Sequence, residues 1–138
     1  MTTDTLERIA SLPSLLEKEP VPMAIVKRVY IASPYGRRIG NTDTQCQLNV
    51  DRAIGYARIL IQQGYYPFVP VLYHYIHKDW DDSPDEPRWH ELCGEWLTSC
   101  HVVLRVSGFS LGADEEVERA KELGIPVVYS LKELQELR

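Results

Sequence analysis

Apolar positions along the chain change their period several times, and each change marks an element. Residues 5–16 place Leu6, Ile9, Leu12, Leu15 and Leu16 at helical spacing, and Pro20 and Pro22 close that segment. This predicts an amphipathic N-terminal arm over residues 1–22, packed on the domain or on a second subunit. A single domain is expected over residues 23–138. Within it, "RVYIAS" at 28–33 reads as a buried strand, and the polar, Gly-bearing run "PYGRRIGNTDTQ" after it as a loop. Val50, Ala53, Ile54, Ala57, Leu60 and Ile61 form one stripe of a helix over 47–63, which Gly64 stops. "YYPFVPVLY" at 65–73 predicts a second strand, and Pro67 and Pro70 place it at or near a sheet edge. A polar, turn-rich loop follows. Residues 88–99 then predict a helix with Trp89, Leu92, Cys93, Trp96 and Leu97 on one side. "HVVLRV" at 101–106 has the continuous apolar centre of a strand covered on both faces. A helix from residue 110, a strand at 126–130 and a short helix at 131–137 complete the pattern.

Strands alternating with helices call for a parallel sheet with right-handed crossovers, hence an α/β three-layer sandwich with a flavodoxin- or Rossmann-like sheet. Ligands of such sheets sit beyond the carboxyl ends of the strands, where the strand order reverses. For a flavodoxin-like order that point lies between the first strand and the third, flanked by the loops "SPYGRRIG" and "SGFSLG". One residue breaks the pattern beside this point. On a helical wheel of about 100° per residue, Ala113, Val117, Ala120, Leu123 and Gly124 share a face, and Glu116 falls inside that apolar arc. A carboxylate one turn into a helix feels the positive end of the macrodipole, which favours ionisation, while burial in an apolar cleft opposes it. Such a group is poised as a base or a nucleophile. Ser110 is placed to cap the helix, and Gly112 lets a ligand approach free backbone N–H groups, which together make a small anion site.

Composition narrows the reading. Apolar residues make up 44% and charged residues 25%, which is ordinary for a globular domain. A net charge of −5 argues against a nucleic-acid polymer as partner, but not against a small anion held by one or two arginines. No apolar run is long enough to span a membrane, and the first residues lack the pattern of a signal peptide. Cys46, Cys93 and Cys100 have no CxxC spacing and read as free thiols, so a cytoplasmic setting is expected. His74 and His77 form H-x-x-H. In an extended segment they point to opposite faces, and no further ligand is spaced to complete a metal set, so none is expected. Tyr65, Tyr66, Tyr73, Tyr75, Trp80 and Trp89 make an aromatic-rich middle that supplies core packing or a base-stacking wall. Asn49 and Arg52 either line the pocket or face water.

"VYIASPYG" at 29–36, "GYYPFVPVLYHY" at 64–75 and "SLGADEEVERAKELGIPVVY" at 110–129 resemble the nucleoside 2-deoxyribosyltransferase superfamily, which includes 2′-deoxynucleoside 5′-monophosphate N-glycosidases. The resemblance implies a nucleoside deoxyribosyltransferase-like fold and hydrolysis or transfer at the N-glycosidic bond of a nucleoside or (deoxy)nucleoside 5′-monophosphate. Glu116 takes the place of the nucleophile and Tyr30 that of the tyrosine orienting it. Ser33, Tyr35, Gly36, Arg37 or Arg38, Ser110 and Gly112 match the sugar-phosphate cradle. No cofactor or metal is implied, the partner is a small molecule, and a homodimer or larger homo-oligomer is expected. The family's acid in the helix before the third strand falls on Cys93, and a further acid at the end of that helix on His101. Glu91, Glu95 or His90 are the substitutes within reach. This departure keeps a second reading open, a nucleotide-binding or signalling domain without turnover. The Gly-rich G-G-x-G-T motif of phosphoribohydrolases is absent.

Overall fold

The computed structural model describes residues 26–137, so the arm expected over residues 1–22 lies outside the described residues. Four parallel strands form one sheet in the order β2-β1-β3-β4: β1 (Arg28–Ala32), β2 (Tyr66–Phe68), β3 (Val102–Arg105) and β4 (Val127–Val128). Among the described residues, five helices accompany them: α1 (Asp43–Gln62), α2 (His74–His77), α3 (Glu86–Leu97), α4 (Leu111–Glu122) and α5 (Leu131–Glu136). The order reverses at β1, so the crevice between β1 and β3 lies where the alternation of elements predicts.

Strand alternation divides the core in two. Val29 and Ile31 of β1 pack with Val102 and Leu104 of β3 against Val50, Ala53 and Leu60 of α1 and Leu134 of α5. Tyr30 and Ala32 turn to the opposite face, with Val103, against Cys93 and Leu97 of α3 and Ala113, Val117 and Ala120 of α4. The layers are therefore α1 and α5, then the sheet, then α3 and α4. This parity sends the ring of Tyr30 toward α4. Cys46, Cys93 and Cys100 are all buried and free.

Several element ends shift by one or two residues, and three differences from the sequence pattern have a clear local reason. Helix α1 starts four residues before the expected 47, because Thr42 and Gln45 form a capping box: Thr42 Oγ1 accepts from the Gln45 N–H (3.2 Å) and Gln45 Oε1 from the Thr42 N–H (2.8 Å). Helix α3 starts at Glu86 rather than 88, with Pro87 in its first turn, where its missing N–H costs nothing. The expected second strand over 65–73 is the largest correction. Only Tyr66–Phe68 pair, on the sheet edge, with Pro67 opposite Val29. Pro70 then opens a 3₁₀ turn over Pro70–Tyr73 that runs into α2. Proline has no N–H for a ladder, and its fixed φ suits a first helical position.

Candidate active site

The loops after β1 and β3 converge at the crevice. Gly36 has φ 101°, and a Cβ there would lie 1.9 Å from Asn41 Nδ2, so the first loop closes on itself only with glycine. Gly108 has φ 122° and lies so close to Pro34 that a Cβ would come within 2.9 Å of its Cγ. Arg105, at the end of β3, is buried. Its guanidinium donates to the Val106 and Gly108 carbonyls and pairs with Asp114 (3.0 Å), which fixes the second loop. Asn49 Nδ2 donates to the Tyr35 carbonyl, and Arg52 donates to Ser107. Neither lines the pocket; both brace its loops.

Between these loops and helices α2, α3 and α4 lies a cavity of about 360 Å³, within the roughly 300–1,000 Å³ of small-molecule sites. Glu116 is on its wall, with Oε2 buried. Tyr30 is fully buried behind it. Neither Tyr30 Oη nor Glu116 Oε2 makes a hydrogen bond of normal geometry. Burial pushes the Glu116 carboxyl up from 4.5 to about 7, and the Tyr30 hydroxyl and then the Arg105 guanidinium only partly oppose it. Burial and the facing Glu116 push the Tyr30 phenol well above its ordinary range. Cys93 joins the pair from α3. Its thiol is pushed to about 12 by burial and by Glu116.

The same cavity gathers Ser33, Tyr35, Gly36, Arg37, Arg38, Ser110, Gly112 and Cys93. Ser33 is 7% exposed, and its Oγ is buried without a hydrogen-bond partner. Ser110 caps α4 through Oγ, accepting from the Ala113 N–H (3.0 Å). A Cβ on Gly112 would meet nothing within 4 Å, so open space stands before the helix N-terminus. The two arginines separate here. Arg38 is engaged by two carboxylates, bidentately by Glu115 (2.7 and 3.1 Å) and through Nε by Glu86. Its guanidinium is held charged chiefly by Glu115. Among the described residues, Arg37 has no acidic partner; its Nη1 meets His77 Nδ1 at 3.2 Å.

Several expected residues lie elsewhere. Glu95 is exposed and off the cavity, about 200° around α3 from Cys93. Glu91 is exposed and pairs with Arg88. His101 is at the opposite end of the sheet, where Nδ1 accepts from the Lys27 and Arg28 N–H groups (3.1 and 3.0 Å). His90, one turn before Cys93, does line the cavity, with Nε2 3.6 Å from Glu115 Oε2.

The His74–His77 pair corrects the extended reading. Because the segment is helical, three-residue spacing puts both rings on one side, and both reach Tyr35 Oη: His74 Nδ1 at 2.5 Å and His77 Nε2 at 3.0 Å. Gln47, which the sequence did not single out, meets His74 Nε2 through Oε1 (3.1 Å). The legible signal was Pro70 as a helix opener upstream of H-x-x-H. Among the described residues, no group of three or more His, Cys, Asp or Glu side chains is placed to hold a metal ion, and no helix is long and apolar enough to cross a membrane.

The chain was compared with known proteins. No curated protein matches it in sequence. Among solved structures, it is similar to a 2-deoxyribosyltransferase from the psychrotolerant bacterium Bacillus psychrosaccharolyticus. The similarity covers 72% of this chain and 69% of that one, with a TM-score of 0.51 and 17% sequence identity. At that identity the likeness is one of fold, and the chain has a nucleoside deoxyribosyltransferase-like fold. Residues 27–130 match a family described as a domain of unknown function, DUF7768. That match takes in all four strands and the whole cavity wall, and the chain belongs to the DUF7768 family.

Proposed function

We propose that the protein hydrolyses or transfers at the N-glycosidic bond of a nucleoside or (deoxy)nucleoside 5′-monophosphate, with Glu116 as nucleophile. The observation that carries this is the buried, unpartnered Glu116 oxygen on the cavity wall. Such an oxygen costs stability unless a ligand answers it, and an electron-poor anomeric carbon does so. One carboxylate oxygen bonds the anomeric carbon as the C–N bond breaks, and the bond's electron pair leaves with the base. Water, or a second base, then attacks the glycosyl ester and regenerates the carboxylate, as in retaining glycosidases. Tyr30 orients Glu116 from behind. Ser33, Tyr35, Gly36, Arg37, Ser110 and Gly112 form the sugar-phosphate cradle. Arg38, bound to Glu86 and Glu115, ties the mouth together.

The base needs a proton as it leaves. A thiol at about 12 gives up its proton poorly near neutrality, so Cys93 does not serve. His90 is the imidazole on the same helix face, lining the cavity with Nε2 3.6 Å from Glu115 Oε2. We assign it the proton donation. The reading calls for no metal or cofactor, and its partner is a small-molecule nucleoside or nucleotide. The protein of similar fold is named a 2-deoxyribosyltransferase, which agrees in chemistry.

Incubation with a panel of nucleosides and 5′-monophosphates, with chromatography of the free base, tests the proposal. Base released by the wild type and not by Glu116→Ala is the expected result. Cys93 in place of an acid favours one other reading, a domain that binds a nucleotide without turnover. Tight binding with no base released over a long incubation would establish that instead.

A further inference from the structure

The glycosyl chemistry leaves the histidine pair unused, yet its hydrogen bonds form a chain with a single allowed direction. At one end, Gln47 Nε2 donates to the Asp51 carboxylate (2.9 Å), which only accepts, so Gln47 Oε1 is the acceptor toward His74 Nε2–H. His74 Nδ1 is then bare and accepts from the Tyr35 hydroxyl. Tyr35 Oη in turn accepts from His77 Nε2–H. That leaves His77 Nδ1 bare. At the other end Arg37, which has only donors, requires a bare nitrogen at the same place. The two ends fix the direction independently and agree.

The chain therefore holds His77 neutral, with its lone pair aimed at Arg37 on the cavity wall. Ser33 Oγ, buried and unpartnered on the same wall, is a further polar group awaiting a ligand. We infer that Arg37 and His77 form a proton-coupled site for a dianionic group such as a phosphate monoester, with His77 selecting dianions over neutral ligands. This rests on the placement of the ligand's anionic end at Arg37 made above. When the dianion lands, Arg37 turns its Nη1–H from His77 to the anion. One proton from solvent adds to His77 Nδ1 and stays there, and the imidazolium Nδ1–H donates a hydrogen bond to an anion oxygen. The Nε2–H bond to Tyr35 survives unchanged, so the rest of the chain keeps His77 in register.

The charged and titratable groups around the pair are Arg37 and Tyr35 from the β1 loop, Lys78 after α2, Asp43, Cys46 and Asp51 from α1, and Glu86 and His90 across the cavity on α3. Burial and the neighbouring cations hold both imidazoles below their ordinary range. A bound dianion reverses that field at His77. Tyr35, pushed to about 12 by burial, keeps its proton throughout.

Calorimetry of the full chain with inorganic sulfate tests this, because sulfate does not titrate near neutrality. Titrations at pH 7.5 in two buffers of different ionisation enthalpy count the protons taken up. The expected result is uptake approaching one proton per anion, with affinity rising by up to about tenfold per pH unit lowered. His77→Gln abolishes the uptake and flattens the pH profile, while Arg37→Gln weakens binding by about tenfold or more. Tyr35→Phe, which keeps the ring's volume, moves the uptake to lower pH. Sulfate binding without proton uptake, uptake unchanged in His77→Gln, or no anion binding would each overturn the inference. None of these results bears on Glu116. Base release that persists without proton-coupled binding sinks this inference alone, and proton-coupled binding without base release sinks only the glycosidic reading.

Discussion

Glu116 gains nothing from its position when ionised. Burial outweighs both the Tyr30 hydroxyl and the Arg105 guanidinium, and the carboxyl ends near 7. In the proposed reaction the attacking form is the ionised one, so kcat/KM is expected to fall as pH drops below about 7, measured as base release across a pH series. Tyr30 opposes the upward shift. Tyr30→Phe should therefore move the acid limb of that profile to higher pH; an unmoved limb would separate Tyr30 from the carboxylate. Glu116→Gln keeps the shape and removes the proposed nucleophile, with an expected loss of at least about 10³-fold in base release.

At the scale of elements, the N-terminus of α4 offers a clean separation of stability from function. A methyl group on Gly112 meets open space and sits in a helix, where alanine exceeds glycine by up to about 1 kcal/mol. Gly112→Ala should raise the thermal midpoint while weakening nucleotide binding, because the methyl occupies the ligand's approach to the helix N–H groups. Gly36→Ala should lower the thermal midpoint. Its φ of 101° and the clash with Asn41 make it destabilising by about 1–3 kcal/mol. The elements differ in how far the sequence showed them. The Glu116 anomaly was legible because α4 is regular and one polar side chain stood out on its face. The crevice followed from alternation and strand order. The α1 start was missed although Thr42 and Gln45 have capping-box spacing, because the polar run around them masked it. The histidine chain was not legible. It depends on Pro70 turning an apparent strand into a helix, and on Tyr35 lying against residues 39 and 42 positions away. Likewise, only the packing of α3 and α4 around the loop showed that Arg38 is bound by acids and Arg37 is not.

For the whole molecule, the raised carboxyl fixes a sign. Between 4.5 and about 7 the folded state holds a proton that the unfolded chain has released, so this group's contribution to stability is present below that window and lost as pH rises through it. The loss is on the order of 3 kcal/mol. The depressed histidines act oppositely: stability held above their ordinary 6.5 is lost as pH falls through it. The difference between wild type and Glu116→Gln isolates the carboxyl. In urea unfolding, the variant is expected to be the more stable above pH 7 and to converge with wild type near pH 4. A variant no more stable at pH 8 would place the carboxylate in water rather than in the crevice. The central claim is that this carboxylate attacks the sugar. Its most direct measurement is the mass of the protein quenched in acid during turnover of a 2′-deoxynucleoside 5′-monophosphate, followed by peptide mapping. The account predicts one added deoxyribosyl phosphate unit, on Glu116, absent from Glu116→Gln. Free base released at full rate by Glu116→Gln, with no adduct on either protein, would contradict it.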